Sequence, residues 1–350
     1  MAQHQPTLKD IAENLQLSIG TVQRALNNKG GYTPQTQQRI LEEASRIGYK
    51  VNPAASMLSR IPVTVAAIFP EPTGHNRFYY RYVWQGLEKA ASELSLYKVE
   101  LKTYYVNMHT ASFRETMESV CRREDIQGII TIREGNEWFD RLMQQTADRG
   151  IRVCLLNAMQ MHGTQETAVS AGNVASDLMR LFCGSRNGNV LLLGGSRNNE
   201  LHDRRVRDFT RCMEEQCPNI TILSLYEYEN LPKLRNTVGA LMYSLECVLG
   251  IFAVSARETL CMCEAVSSQE KAGEMITIGV DAFPELEPYF KENVLSVSLY
   301  HHPARKAYLA FYQMASSLTS IPVPGFSDVI PITPVFRSDA YLYCSNEGIL

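Results

Sequence analysis

The spacing of apolar positions changes character near residue 62. Before it, apolar residues recur at helical intervals: Leu8, Ile11, Ala12 and Leu15, then Val22, Ala25 and Leu26, then Ile40, Leu41, Ala44 and Ile47. This predicts two short helices within residues 7–27 and a third over about 34–47. The polar punctuation agrees. Thr7 stands three residues before Asp10, the Ser/Thr-x-x-Asp/Glu form of a capping box. Ser18 offers a cap for the second helix. Thr33 followed by Pro34 opens the third, and Gly48 stops it.

From Val63 onward, short apolar runs alternate with amphipathic stretches. Strands are predicted at 63–69, 98–106, 126–132 and 152–156, with helices near 78–95, 112–123 and 136–148. The series resumes with strands at 167–171, 189–194, 220–226, 250–255, 275–280 and 294–299. Helices are expected near 173–183, 203–215, 232–247, 257–267 and 303–318, and a last strand at 328–336. The fold class is therefore α/β: an all-α N-terminal unit, then two doubly wound parallel sheets. Such sheets bind ligands outside the carboxyl ends of their strands.

Composition narrows the class. The chain has 350 residues, 45% apolar and 20% charged, which fits a globular protein of two or three domains. The net charge of -3 is uneven: residues 1–60 hold seven bases and four acids, so any polyanion contact is expected there. No apolar run approaches a membrane span, and Met1 to Pro6 is polar without a leader-like core, so a cytoplasmic chain is expected. The nine cysteines are scattered outside residues 1–60. Cys261-Met262-Cys263 and the pair Cys212 and Cys217 lack metal-ligand spacing, so reduced thiols are expected rather than zinc.

The three predicted helices form a compact unit with tight turns, the helix-turn-helix arrangement. Ile19, Gly20, Gln23 and Arg24 are left facing outward from the second. In a major groove, Gln23 pairs well with adenine and Arg24 with guanine or phosphate. Spacing alone fits a solvated helix face equally well.

The wording of the segment goes further. Thr7-Leu8-Lys9-Asp10-Ile11-Ala12, Ser18 through Asn27, Thr33-Pro34-Gln35-Thr36 and Gly48 through Pro53 closely resemble the headpiece of the lactose/galactose repressor (LacI/GalR) family, almost without gaps from Thr7 to Leu58. Gln23 departs from the Ser found in most members. The resemblance implies DNA contacts by Thr7, Ser18, Ile19, Gly20, Thr21, Gln23, Arg24, Asn27 and Tyr32. It also implies a hinge over 50–61 in which Asn52, Ala55 and Leu58 meet the minor groove, with Leu58 as the kinking wedge.

Residues 62–340 resemble the family's periplasmic-sugar-binding-type core, through Gly128-Ile129-Ile130, Gly150-Ile151-Arg152-Val153 and Thr277-Ile278-Gly279-Val280-Asp281. Four parts follow: a headpiece at 1–49, a hinge at 50–61, one lobe at 62–160 plus 291–322, and another at 161–290 plus 323–350. The chain is expected to cross between lobes near 158–165, 288–293 and 319–327. The family's effector contacts map onto Tyr79, Tyr80, Asn173, Arg205, Ser255, Asp281 and His301. Gly172, Ser255, Ala256 and His301 replace the usual Asp, Asn, Asp and Gln, which points to an unusual sugar, a sugar acid or another small polar metabolite. A homodimer on a near-palindromic operator is implied, because the tail from Ser338 lacks the leucine repeat of tetrameric members.

Enzyme signatures are missing. Gly194-Gly195 is no dinucleotide fingerprint, and no phosphate loop, nucleophile elbow or His-Glu-x-x-His occurs. No catalytic residue, cofactor or metal is expected. An α/β enzyme, or a sensor of a non-sugar metabolite on the same core, is the alternative.

Overall fold

The computed structural model describes residues 6–26, 30–49, 61–108, 110–156, 160–161, 170–197, 199–226, 230–319, 321 and 330–345. Asn27, Asn52, Ala55 and Leu58 lie outside the described residues, as do most of the crossings placed at 158–165 and 319–327. The chain divides into two units, Met1–Ile61 and Pro62–Leu350.

The first unit is three helices: α1 (Leu8–Leu15), α2 (Ile19–Leu26) and α3 (Pro34–Arg46). The reciprocal cap at α1 forms as the sequence predicts. Thr7 N donates to Asp10 Oδ2 at 2.6 Å, and Asp10 N donates to Thr7 Oγ1 at 3.3 Å. Thr21 N donates to Ser18 Oγ at 3.1 Å and Thr36 N to Thr33 Oγ1 at 3.2 Å, so α2 and α3 start where their caps stand. Ile11, Ala12, Val22, Ala25, Ile40 and Ala44 form the small core, with Tyr32 packed against it. Leu41 departs from expectation and is exposed. It follows Ile40 by one residue, about 100° round the helix, and the packing of α3 turns Ile40 inward and Leu41 to solvent.

The second unit holds two sheets. In the first, β1 (Val63–Pro70), β2 (Val99–Val106), β3 (Gly128–Thr131), β4 (Arg152–Leu155) and β5 (Gln160–Met161) lie in the order β2-β1-β3-β4-β5. Helices α4 (Arg77–Leu94), α5 (Ala111–Arg122) and α6 (Glu137–Asp148) connect β1 to β4. In the second, β6 (Gly188–Leu193), β7 (Ile220–Leu225), β8 (Val248–Ala253), β9 (Ile276–Val280), β10 (Val297–Tyr300) and β11 (Thr333–Val335) lie in the order β11-β10-β9-β8-β6-β7. Its helices are α7 (Ala171–Cys183), α8 (Glu200–Gln216), α9 (Leu231–Ser244), α10 (Ala256–Ser268) and the single turn α11 (Glu287–Lys291). The chain then adds α12 (Pro303–Thr319) and, after β11, the short α13 (Ala340–Tyr343). Both sheets are parallel except at one edge, where β5 and β11 run antiparallel.

Two boundaries differ from the sequence reading. Of the strand expected at 167–171 only the end lies among the described residues, and there Ser170 caps α7, its Oγ accepting from Gly172 N at 3.1 Å. The crossing expected at 288–293 falls after Tyr300. The apolar run Val297–Tyr300 fills a slot between β9 and β11, so residues 291–300 belong to the second lobe. The chain leaves that sheet at His301-His302, where His302 takes φ 53°, and α12 then packs on α4, β1 and β3 of the first lobe.

Helix α4 ties the lobes together. Its N-terminal residues Phe78 and Tyr82 are buried in the second lobe's core, while Val83, Trp84 and Leu87 belong to the first lobe's. Phe78 stacks on Phe283 with ring centroids 4.2 Å apart. Further along, Gly86 lets α4 meet α12 backbone to backbone. A Cβ there would overlap the carbonyl oxygen of Ala304. Gly86→Ala should therefore force the helices apart and lower stability by about 1–3 kcal/mol. The urea midpoint measures this, and an unchanged midpoint would show that the crossing tolerates separation.

Candidate ligand-binding site

The site lies where the carboxyl ends of both sheets meet. Thr131 ends β3 and is followed by Ile132 and Arg133. In the second lobe Gly194 follows β6, Val254 and Ser255 follow β8, Asp281 follows β9, and His301 follows β10. Between the lobes is a cavity of about 140 Å³, the scale of a single six-membered ring. Its first-lobe wall is Tyr79, Tyr80, Ile132 and Arg133. Its second-lobe wall includes Asn199, His202, Arg205, Ser255, Arg257 and Asp281.

Arg205 is one of four arginines on α8, yet it is 4% exposed while Arg207 and Arg211 face solvent. Burial follows from helical spacing: Arg205 lies one turn before Phe209, on the face of α8 that meets α7 and the sheet. Gly172 on α7 permits that contact, because a Cβ there would overlap the carbonyl oxygen of Arg205. The guanidinium is then held from two sides. Its Nη1 donates to Val254 O at 2.6 Å and its Nη2 lies 2.9 Å from His301 Nε2. On the other edge of the imidazole, His301 Nδ1 lies 3.1 Å from Asp281 Oδ1.

The proton positions follow. An arginine only donates, so His301 Nε2 accepts and the ring proton sits on Nδ1, where it donates to Asp281. Burial and the neighbouring Arg205 push the imidazole pKa down to about 4, so it is neutral at neutral pH. Asp281 stays ionised. Burial works against its charge, but His301 and Arg205 outweigh that and hold it below the usual carboxylate range. Asp281 adopts φ 64°, a left-handed turn that Asp tolerates better than most residues. Lys306, on the first turn of α12, is close enough to Arg205 and Asp281 to feel both. Burial and Arg205 lower its pKa to about 8.

Around this row the loops are cross-linked by one buried acid. Glu258 is fully buried, with Oε1 accepting from Gly195 N at 2.9 Å and Oε2 taking a hydrogen bond from Ser255 Oγ at 3.0 Å. Burial raises its pKa to about 7 against the pull of those two donors. Asn199 caps α8 through Leu201 N and His202 N, and His202 Nδ1 accepts from Ser196 N at 3.1 Å. At the mouth, Arg133 reaches across to both oxygens of Glu200 at 2.8 and 2.9 Å, and Arg77 pairs with Glu285 at 2.7 Å.

The structure brings together Tyr79, Tyr80, Arg205, Ser255 and Asp281 at the cavity wall. Two expected contacts are placed elsewhere. Asn173 turns to α8, where its Nδ2 donates to Cys212 Sγ at 3.3 Å, because the close α7–α8 packing carries it away from the cavity. His301 lies behind the wall, between Arg205 and Asp281, because the chain turns away from the cavity as it leaves β10. Sequence reasoning missed His202, Arg257, Glu258 and Lys306. Glu258 had a signal, since Ser255-Ala256-Arg257-Glu258 is a Ser-x-x-Glu cap. In the headpiece, Ile19, Gly20, Gln23 and Arg24 are exposed as expected, and Thr21 is half-buried. The nine cysteines are free thiols. Among the described residues no group of three His, Cys, Asp or Glu side chains could hold a metal, and no helix is long and apolar enough to cross a membrane.

Two parallel-sheet lobes around a polar cleft define a ligand-binding protein. Residues 66–320 match the periplasmic binding protein domain, and the chain belongs to that family. The resemblance to LacI/GalR-type regulators also stands. Catabolite control protein A of Priestia megaterium is 20% identical over 211 residues, 60% of this chain and 61% of that relative. The chain therefore aligns with about three fifths of that regulator's length. Among solved structures, a chain from Bacteroides fragilis described as a LacI transcriptional regulator superposes with a TM-score of 0.66 at 16% identity, covering 81% of this chain and 100% of that one. An ABC transporter solute-binding protein from Agrobacterium vitis, bound with α-D-tagatopyranose, gives 0.65 at 17% identity, covering 81% and 99%. At these identities the structural likenesses show the fold.

Glu258 yields a pH test. Its folded pKa of about 7 lies above the ordinary 4.5, so its contribution is fully present below pH 4.5 and lost as pH rises through 7. Glu258→Gln keeps the shape and cannot ionise. The variant should match the wild type near pH 4.5 and exceed it by about 1–3 kcal/mol at pH 8 in denaturant titrations. Parallel curves for the two proteins across that range would refute a buried, proton-holding Glu258.

Proposed function

We propose that the protein is a transcription regulator of the LacI/GalR type, controlled by a small polar effector in the inter-lobe cavity. The observation that carries this is the pairing, in one chain, of a capped three-helix unit worded like a LacI/GalR headpiece with a periplasmic-binding-type core. In this reading a homodimer sets two α2 helices on the half-sites of a near-palindromic operator. The exposed row Ile19, Gly20, Gln23 and Arg24 supports base reading. Thr7, Ser18, Thr21, Asn27 and Tyr32 act at the backbone or support the helices, and Asn52, Ala55 and Leu58 serve as minor-groove contacts by resemblance. The protein works in the cytoplasm, performs no catalysis and needs no cofactor.

The effector contacts are Tyr79 and Tyr80 from one lobe and Arg205 and Asp281 from the other, with Ser255 at the wall bracing the loop through Glu258. A polyhydroxylated ring needs a flat apolar face, a forked donor and an acceptor for two hydroxyls, and these side chains supply all three. Binding there favours one relative arrangement of the lobes and so shifts the DNA-binding population. Such coupling is reciprocal and typically about 1–3 kcal/mol. A carrier role like that of the Agrobacterium protein would leave the headpiece without a use.

Two measurements test the reading. Arg24→Ala should weaken specific operator binding by about 1–3 kcal/mol in a gel-shift titration, with ligand binding unaltered. Equal operator affinity would remove α2 as the reading helix. Asp281→Ala should retain operator binding but lose the effector response, since it strips the cavity of its buried acceptor and leaves Arg205 without its counter-charge. A variant that still responds normally would show that the effector binds elsewhere.

A further inference from the structure

We infer that the effector is an anionic monosaccharide, a single sugar ring carrying a carboxylate or phosphate held by Arg205 and Arg257 between the N-termini of α8 and α10. This rests on reading the cavity as the effector site, and it goes beyond that reading by fixing the ligand's charge.

The first ground is charge balance inside the site. Arg205 and Lys306 are two cations facing one nearby ionised carboxylate, Asp281. His301, between Arg205 and Asp281, relays a hydrogen bond and brings no charge. Glu258 spends both oxygens on Gly195 and Ser255. Arg257 also lines the wall, beside Glu258, so the excess rests on Arg205 and Lys306. The other acid near the mouth, Glu200, is engaged by Arg133. The dry part of the site thus carries an excess of positive charge, which a ligand anion would neutralise.

The second ground is the backbone. Helices α8, of 17 residues, and α10, of 13 residues, both begin at the cavity: Asn199 and Leu201 line it from one, Ser255 and Ala256 from the other. Each helix start carries partial positive charge and N–H groups that precede the first internal hydrogen bond. The third ground is a specific vacancy in the hydrogen bonding. Arg205 lines the cavity at 4% exposure, and among the described residues its Nε has no hydrogen-bond partner. A buried guanidinium N–H without an acceptor is costly, and an anion reaching Arg205 would satisfy it.

The rest of the wall keeps the ligand a sugar. Tyr79 and Tyr80 face it from the other lobe, and Asp281 Oδ1 is taken by His301, which leaves Oδ2 as its oxygen for ligand hydroxyls. A cavity of about 140 Å³ is on the scale of a single ring.

The test is a matched panel on the full chain at constant ionic strength. D-glucose, D-galactose and D-mannose are each compared with their uronate and 6-phosphate, which keep the ring, by thermal shift and then by calorimetry. At least one anionic member should bind ten-fold or more tighter than its neutral parent, and Arg257→Gln should remove most of that preference. Binding confined to uronates identifies a carboxylate as the anion, and binding confined to 6-phosphates identifies a phosphate. A neutral sugar binding as tightly as its charged relatives overturns the inference while leaving the effector site in place. No binding by any member overturns the inference and removes support for a monosaccharide effector as well.

Discussion

A buried guanidinium, a neutral imidazole and a carboxylate in a row hold the second lobe's loops in place. Arg205 comes from α8, His301 from the end of β10, Asp281 from the end of β9, and the carbonyl of Val254 from the end of β8. Each charge is tolerable because the other is near, and the imidazole passes directionality between them without adding a charge. Truncating any one of the three would leave a buried partner unsatisfied, which costs more than the net value of the bond itself. The geometry at the cavity wall is therefore inherited from sequence-distant parts of the chain.

That inheritance explains what the sequence made legible. Caps and turns are local, so Thr7 with Asp10, Ser18, Thr33 with Pro34 and the stop at Gly48 could be read directly. The alternation of strands and helices was equally plain, because period is a short-range property. Arg205 was harder. Four arginines crowd one helix, and only the close contact of α7 on α8 decides which is buried. The family pattern assigns His301 to the ligand; its place behind the wall depends on two partners nearly 100 and 20 residues away. The lobe to which residues 291–300 belong depends on which sheet has a free slot, and no local pattern encodes that. Leu41 shows the limit of pattern reading on a short helix, where an adjacent pair of apolar residues leaves the inner one to be chosen by packing.

The cleft is also shaped by what it excludes. Gly172 replaces an acid found in most family members, and its role here is steric: it admits the α8 backbone. Ser255 replaces an amide, and its hydroxyl is spent on Glu258 and the start of α10. Polar groups that could have reached a ligand are turned inward to brace loops. Arg205, Arg257 and Asp281 remain as charged groups of the second-lobe wall, with two tyrosines across the gap. The wall has fewer polar types than the family pattern implies, and those it retains are charged.

Helix α4 has a consequence for how the core can be divided. Phe78 and Tyr82 leave the first lobe's helix to sit among Phe283, Leu286, Phe290 and Ala304, and Tyr82 Oη donates to Ser345 O at 2.9 Å. The lobes look like two separate sheets, yet their interiors share aromatic side chains. Neither is a portable module. A first lobe produced alone would present two large rings to water, and a second lobe alone would have an open socket where they belong. Gene fusions, fragment complementation and lobe exchange with relatives would need to carry the start of α4 along with the second lobe, cutting inside a helix rather than at a loop.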